Sequence, residues 1–311
     1  MAEDFGVLVE RGIQAAHALD FPTAERAYLA ALAQRPDNAP VIAALGLVML
    51  AQGRYREGFM LYEARKAFDG DPIAGAGMPE WGGEDLAGRS LLVWREQGLG
   101  DEIQMARYLP RIRGAGEVIL VCSPPLERLF AGLGVTVFPL TEGAVVPRAD
   151  LHVRNLSLPA VFETTVETIP PAPYLTAPSA PKSGGVGFVW RGNPEHPNDA
   201  RRSLPSPSVL DPLREVAELV DLQEPRGDFL DTAARIQALD LVITVDTAMA
   251  HLAGALGVPC WVMLPAYRTD WRWMTGRADS PWYPSLRLYR QPSPGDWDSV
   301  VAAMAQDLKA L

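Results

Sequence analysis

The sequence predicts an α/β protein in which two Rossmann-like parallel-sheet domains follow a short all-α segment. Apolar runs of four to six residues alternate with helical patterns in two series, which begin at residues 90 and 186. Such alternation is typical of parallel sheets that are covered by helices on both faces. The residues before 70 differ from these two series. Their residue types recur at a spacing of about 34 residues, which is the length of one repeated pair of helices.

Composition narrows the classes of partner. The chain has 311 residues, 48% of them hydrophobic and 21% charged, and a formal net charge of −10. This acidity argues against nucleic acid or an anionic membrane as a partner. No apolar run is long enough for a membrane span, and residues 1–4 have the wrong charge for a signal peptide. Cys122 and Cys260 lie in apolar strands, as buried free thiols do, so we expect a cytoplasmic protein.

Residues 3–69 resemble tetratricopeptide repeats. The recurring pairs are Leu8 and Ile42, Gly12 and Gly46, Ala24 and Gly58, and Tyr28 and Tyr62. Ala31 and Pro36 also fit the first repeat, whereas Arg65 and Gly70 replace them in the second, which we interpret as a capping unit. Stacked repeats usually need about three units, so this pair is expected to pack on the rest of the chain or to form a homodimer.

The first βα series follows a turn-rich link at residues 69–83. We predict strands at residues 90–94, 118–122, 135–138 and 151–153, and helices at 102–113 and 124–131. Residues 159–183 are rich in proline and threonine and are interpreted as a crossing between domains. The predicted domains are residues 1–70, 72–180 and 184–311.

The second series contains the most informative stretch of the chain. We predict strands at residues 186–190, 219–222, 239–245, 260–264 and 286–289, and helices at 230–238, 247–256 and 296–310. The third of these strands ends at Asp246. A helix follows directly, and Gly257 ends that helix. A strand that leads into a helix N-terminus favours phosphate binding there, although many such units bind nothing and this one lacks a glycine-rich turn.

Three strand ends together carry a family resemblance. They are residues 97–104, 190–205 and 246–251, and the carboxyl ends of parallel strands are where such sheets bind ligands. The Gly-Asp pair in the first and the Asp-Thr-Ala-x-x-His pattern in the third resemble the heptosyltransferase-like glycosyltransferases, family nine of the two-domain GT-B class. With helical repeats in front, the chain also resembles bacterial repeat-containing protein glycosyltransferases.

The resemblance implies an inverting, metal-independent transfer of a sugar to a hydroxyl. The donor would be a nucleotide diphosphate sugar, with no other cofactor, and the repeats would hold a protein acceptor. Asp101 would be the general base, with Gly100 and Gln104 beside it at the substrate. Alternatively, Asp101 is only the N-cap of a helix that begins at residue 102. The competing overall hypothesis is a non-catalytic interaction module that retains the fold.

The resemblance also assigns the start of the second-domain helix to the diphosphate. The backbone N–H groups of Thr247, Ala248 and Met249 would face the leaving group. Glycine is frequent in the family at the position of Ala248, and the Ala248 methyl narrows the space through which a phosphate approaches. Asp246 fixes the turn, since a carboxylate beside a diphosphate repels it. His251 either donates to a phosphate or pairs with Asp246, or it is a packed neutral histidine of the core.

The loop after the first strand of the second domain supplies candidate cations. Arg191 and Arg202 suit a departing diphosphate, and the resemblance leaves open whether the family's basic residue here is Arg201 or Arg202. The alternative is that these are solvated surface arginines. Asn193 in the same loop and Gln223 at the next strand end are further candidate substrate contacts. Aromatic residues at 264–273 could stack on a nucleobase or sugar, or pack on residues 282–283.

We predict no metal site. Asp296 and Asp298 form an Asp-x-Asp pair, but they open the last helix, where acids serve as caps. Residues 69–71 are interpreted as a turn.

Overall fold

The computed structural model describes residues 3–70, 77–178, 181–224 and 226–310. They form two compact units. The helical unit comprises Met1–Ala76, Pro159–Ile169 and Ala266–Arg277, and the sheet unit comprises Gly77–Leu158, Pro170–Pro265 and Ala278–Leu311. Part of the predicted link, including Asp71 of the predicted turn, lies outside the described residues.

The helical unit begins with two helix pairs. Its helices are α1 (Phe5–His17), α2 (Phe21–Gln34), α3 (Ala39–Ala51) and α4 (Tyr55–Tyr62), and a 3₁₀ turn follows at Glu63–Ala67. The side chains of Asp4, Asp20 and Asn38 cap the first three helices by accepting a hydrogen bond from a backbone N–H group.

The glycines that recur in the repeat pattern lie at the contacts within each helix pair. A Cβ atom on Gly12 would collide with the ring of Tyr28. A Cβ atom on Gly46 would lie 2.8 Å from the backbone nitrogen of Tyr62 and 2.9 Å from the carbonyl oxygen of Gly58. The recurrence therefore has a packing reason, because both helix pairs need a residue without a side chain at the same place.

The loop at residues 266–277 belongs to the helical unit. The Trp271 ring is nearly perpendicular to those of Tyr55 and Phe59, with centroid distances of 6.1 and 5.5 Å. Tyr267 makes a similar contact with His17 at 5.6 Å. Tyr267 and Trp271 of this loop thus pack on the helices. The sequence led us to expect stacking on a nucleobase or sugar, or packing on residues 282–283, and not this contact with the helices.

The sheet unit contains two parallel sheets, as predicted. The first has the strand order β3-β2-β1-β4, and the second β6-β5-β7-β8-β9. The strands are β1 (Ser90–Trp94), β2 (Glu117–Cys122), β3 (Thr136–Pro139), β4 (Leu151–Arg154), β5 (Val186–Val189), β6 (Leu219–Asp221), β7 (Leu241–Val245), β8 (Cys260–Leu264) and β9 (Leu286–Arg290). All residues of β7 and β8 are buried, since helices cover both faces of the sheet.

The remaining helices are mostly short. They are α5 (Leu99–Met105), α6 (Glu127–Phe130), α7 (Leu158–Val161), α8 (Asp199–Arg202), α9 (Asp211–Arg214), α10 (Phe229–Gln237), α11 (Ala248–Leu256) and α12 (Trp297–Leu308). Gly257, with φ 73°, ends α11 in the left-handed conformation, as predicted. In the described part of the chain, no helix has the length and apolarity to cross a membrane.

Both cysteines are buried free thiols, as predicted. Burial raises the pKa of Cys122 to about 12 and also raises that of Cys260, so both remain protonated.

Candidate functional site

The first turns of α5 and α11 meet within the sheet unit. A Cβ atom on Gly100 would lie 2.8 Å from Cδ2 of His251 and 3.4 Å from Cα of Ala248. Only glycine allows this approach without a shift of the His251 side chain. Since α5 follows β1 and α11 follows β7, the structure brings together the carboxyl ends of the first strand series and the second. We call this contact the α5–α11 junction.

Asp101 lies in the first turn of α5 and not in front of the helix. The helix begins at Leu99, with Gly98 as its N-cap. Because glycine has no side chain to cap with, Asp101 reaches back, and its Oδ2 accepts the Gly98 N–H at 2.9 Å. The alternative that Asp101 is the N-cap of a helix beginning at residue 102 is therefore wrong, whereas its role as a base stays a prediction.

Sequence reasoning missed Glu102, which lies next to Asp101 with a side chain that is only 2% exposed. Its Oε1 accepts from Arg95 Nε at 2.9 Å and from Ser123 Oγ at 2.6 Å, and its Oε2 accepts from the Ser123 N–H at 2.8 Å. The carboxylate thus ties the start of α5 to the ends of β1 and β2. Its position directly after Asp101 at a strand end was the available signal.

A second buried ion pair lies at the same edge of the first sheet. Arg154, at the end of β4, lies 3.5 Å from Glu96, with side chains 5% and 9% exposed. Gln104, a predicted substrate contact, is fully buried, and its backbone carbonyl oxygen accepts a hydrogen bond from Arg107 Nε at 3.1 Å. The structure therefore places Gln104 in the core beneath the junction.

Thr247 is the N-cap of α11, in the extended conformation that caps adopt. Its Oγ1 accepts the Met249 N–H at 3.2 Å and lies 3.1 Å from Oγ1 of Thr244. One of the three amides that were predicted to face a diphosphate already has an acceptor. Among the described residues, the amides of Thr247 and Ala248 have none.

Asp246 and His251 flank this cap. Asp246 directly follows β7 and is half-buried, and its role in the turn stays a prediction. His251 is 6% exposed, and its Nδ1 lies 3.0 Å from the hydroxyl of Tyr283. The rings of His251 and Tyr283 are 5.7 Å apart at 65°. The structure thus gives His251 a packed position with a tyrosine partner that sequence reasoning missed.

Arg202 is folded onto its own loop. Its Nε lies 3.6 Å from Oδ1 of Asp199, and its side chain is 16% exposed. Asp199 also accepts from Ser203 Oγ at 2.8 Å, and Ser203 Oγ in turn accepts the Gly192 N–H at 2.9 Å. Within the described ranges, Arg202 Nε has no hydrogen-bond acceptor. A guanidinium that is held mainly by charge can re-form its bonds toward an anion.

Arg191 and Gln223 lie at the ends of the neighbouring strands β5 and β6. The exposed Arg191 guanidinium is 4.9 Å from the Trp190 ring centroid, and the Arg191 N–H donates to Oε1 of Gln223 at 3.2 Å. Asn193 accepts the Glu195 N–H through its Oδ1 at 3.0 Å, so its side chain shapes a turn.

No group of three or more metal-ligating side chains occurs in the part of the chain that the structure describes. Asp296 caps α12, since its Oδ1 accepts the Ser299 N–H at 3.0 Å, and Asp298 lies in the first turn of that helix. Both acids thus lie at the start of the last helix, as predicted, Asp296 as its cap and Asp298 within its first turn.

No protein-family model matches the chain. It is 28% identical to Protein FlbA of Caulobacter vibrioides in an alignment of 334 residues, which covers 88% of this chain and 55% of that protein. The chain therefore spans about half the length of this curated relative.

The solved structures similar to this chain include glycosyltransferases. The E. coli heptosyltransferase WaaC with ADP matches at a TM-score of 0.47 and 11% identity, over 71% of this chain and 99% of that one. The iron-containing dodecameric glycosyltransferase TibC from enterotoxigenic E. coli H10407 matches at a TM-score of 0.47 and 11% identity, over 72% and 77%.

Proposed function

We propose that the chain is a glycosyltransferase that moves a sugar from a nucleotide diphosphate sugar to a hydroxyl group. The observation that carries this proposal is the α5–α11 junction, where Gly100 lies against Ala248 and His251. It sets a helix start that bears a carboxylate against a helix start suited to an anion. Base and leaving group must lie on either side of one reacting carbon, and this arrangement supports that requirement.

In the proposed reaction, the acceptor hydroxyl oxygen attacks the anomeric carbon of the donor sugar. Its proton passes to the carboxylate of Asp101, and the bond from the anomeric carbon to the diphosphate oxygen breaks. The nucleoside diphosphate leaves with the electron pair of that bond. Because the attack comes from the face opposite the leaving group, the anomeric configuration inverts.

The geometry of Asp101 supports the role of base. Its bond to the Gly98 N–H fixes the carboxylate at the start of α5, one residue from the Gly100 contact. Asp101 is only half-buried, in contrast to Glu102, whose two oxygens accept three hydrogen bonds. Of these two neighbouring acids, Asp101 is therefore the one we assign to substrate.

The departing charge would be neutralised by backbone and guanidinium groups. The amides of Thr247 and Ala248 lie at the positive end of α11, Arg191 lies in the loop that follows β5, and Arg202 is the last residue of α8. We therefore propose that the transfer is metal-independent. With such groups in place, activity should survive an excess of EDTA, as a chelator-treated assay would measure. Loss of activity that manganese restores would contradict this expectation.

We further propose that the helical unit holds a protein acceptor and that the protein acts in the cytoplasm. Large exposed apolar side chains on this unit, Met60 (66%) and Phe68 (49%) among them, support a role in protein contact. They are equally suited to a homodimer. Deletion of residues 1–69 should abolish transfer to a protein but leave slow donor hydrolysis, provided that the remainder of the chain stays folded.

A panel of nucleoside diphosphates tests the proposal. Thermal unfolding of the whole chain should be measured with ADP, GDP, UDP and CDP, and with the matching nucleosides as controls. A diphosphate at a hundredfold its dissociation constant adds about 2.7 kcal/mol to the free energy of unfolding. If no diphosphate raises the unfolding temperature above its nucleoside, the chain is instead a non-catalytic interaction module with this fold.

A further inference from the structure

The buried Arg107, Tyr283 and His251 form a cluster with the half-buried Tyr174 beneath the α5–α11 junction. Arg107 is 2% exposed, and it donates to the carbonyl oxygens of Pro170 (3.2 Å) and Trp282 (2.9 Å). Its guanidinium lies 4.7 Å from the ring centroid of Tyr174 and 4.6 Å from that of Tyr283. A permanent positive charge is thus held among neutral groups next to the tyrosine that contacts His251.

The hydroxyl protons in this cluster can be assigned by elimination. Tyr174 donates its proton to the carbonyl oxygen of Ile103 at 2.9 Å and accepts from Arg107 Nη2 at 3.4 Å. The Tyr283 hydroxyl has two possible acceptors in the cluster, His251 Nδ1 at 3.0 Å and Tyr174 Oη at 3.4 Å. The shorter contact favours the histidine nitrogen as its acceptor.

Electrostatics favour the same direction of donation. A guanidinium beside a phenol polarises its O–H bond and makes it a stronger donor. The same charge disfavours a second positive charge on the nearby imidazole, and this favours a neutral ring with one acceptor nitrogen. Burial raises the pKa of Tyr283 well above its usual value, so the hydroxyl keeps the proton that it donates.

We propose that Tyr283 is a positioning residue that donates to Nδ1 of His251 and thereby fixes the imidazole as its Nε2–H tautomer. Cδ2 and Nε2 of His251 lie 2.8 and 3.5 Å from the place where a Cβ on Gly100 would be, so the edge of the ring that carries Nε2 faces the first turn of α5. The role that we give the Nε2 proton, donation to a diphosphate bound at the junction, rests on the proposed function. The assignment of the tautomer does not depend on the proposed function.

The test is nuclear magnetic resonance of the whole chain labelled with ¹⁵N-histidine. The chain has 4 histidines, and a His251→Gln spectrum identifies the signals of His251. We expect Nε2 to carry the proton and Nδ1 to be an acceptor. In Tyr283→Phe the preference should be lost, so that both tautomers are populated. Tyr289→Phe removes another buried tyrosine hydroxyl, which donates to Asp307 at 2.8 Å, and should change nothing at His251.

Two results would overturn the inference: a proton on Nδ1 in the unmodified chain, or an unchanged tautomer in folded Tyr283→Phe. A second measurement separates it from the proposed function. If a nucleoside diphosphate binds, Tyr283→Phe should weaken its affinity about 5- to 10-fold, as expected for one misdirected hydrogen bond, and Tyr289→Phe should not. If no diphosphate binds the unmodified chain, the proposed function fails while the tautomer result stands.

Discussion

The helices α5 and α11 begin in the same way, directly after a strand of a parallel sheet, yet their first turns have opposite chemistry. The first turn of α5 contains Asp101 and Glu102 behind a glycine N-cap. The first turn of α11 contains no acid and has the neutral Thr247 as its cap. Acids in a first turn neutralise the positive end of their own helix. The first turn of α11 therefore lacks the internal acids that face the positive end of α5, and an external anion is the partner that we propose for it.

This difference explains how one structural unit, used twice, can supply both halves of a transfer site. Around α5 the carboxylates are held by internal donors, namely Gly98 for Asp101 and Arg95 with Ser123 for Glu102. For α11 the proposed charged partners are Arg191 and Arg202, which follow β5, the strand next to β7. The α5 side, which we call the carboxylate half, would supply the base. The α11 side, which we call the anion half, would bind the leaving group.

The largest effect should come from removing the carboxylate half. In Asp101→Asn the amide oxygen can still accept the Gly98 N–H, so the unfolding temperature should change little. Turnover with the donor that the diphosphate panel identifies should fall about 10²–10⁴-fold, because general-base catalysis is lost. Steady-state kinetics and calorimetric donor binding measure the two effects separately.

Asp231 offers a matched control for Asp101. It occupies the same position of α10, and its Oδ2 accepts the backbone N–H of Asp228 at 3.1 Å. Asp231→Asn should leave turnover unchanged. If Asp101→Asn unfolds the chain and its folded fraction keeps full specific activity, Asp101 is only a capping residue and the assignment of the base is wrong.

The next effect concerns the anion half. Arg202→Ala should weaken the binding of the nucleoside diphosphate by about 1.5–3 kcal/mol, the range for a lost hydrogen bond to a charged group. Arg214→Ala is the control, since Arg214 pairs with Asp211 three residues earlier, as Arg202 does with Asp199. Calorimetry should show unchanged affinity for the control. Equal affinities for both variants would remove Arg202 from the site.

A smaller effect on diphosphate binding should follow when an added side chain separates α5 from α11. In Gly100→Ala the new methyl would lie 2.8 Å from Cδ2 of His251, so the junction must shift. We expect the free energy of unfolding to fall by about 1–3 kcal/mol, as for overpacking of a core, and diphosphate binding to weaken. Gly98→Ala is the control, because its methyl meets nothing closer than Asp101 Oδ2 at 3.4 Å. Equal stability of the two variants in denaturant titrations would contradict the contact.

The smallest effect on turnover and diphosphate binding should come from Glu102, the acid that we do not assign to substrate. Glu102→Gln turns one acceptor oxygen into a donor toward Arg95 or Ser123, and the free energy of unfolding should fall by about 1.5–3 kcal/mol, the range for a lost hydrogen bond to a charged group. Diphosphate affinity and the pH dependence of turnover should stay as they are. A loss of turnover as large as that of Asp101→Asn would move the base to Glu102.

The strands were predictable because buried parallel strands are short apolar runs, which are visible in any sequence. The pattern also placed Asp101 at a strand end and Thr247 at a helix start, since both follow such runs directly. It failed at the start of α5. Gly98 gives no capping signal there, so the helix was expected to begin at residue 102 and not at Leu99.

Local sequence thus determined the two sheets, the repeated glycines of the helical unit and the residue types at each strand end. Only the tertiary structure decided that Gly100 meets His251, that Tyr283 contacts the histidine and that residues 266–277 belong to the helical unit. The physical reason is range. Strand and helix patterns arise from neighbours a few residues apart, whereas these contacts join residues far apart in the chain, whose approach depends on how complete elements pack.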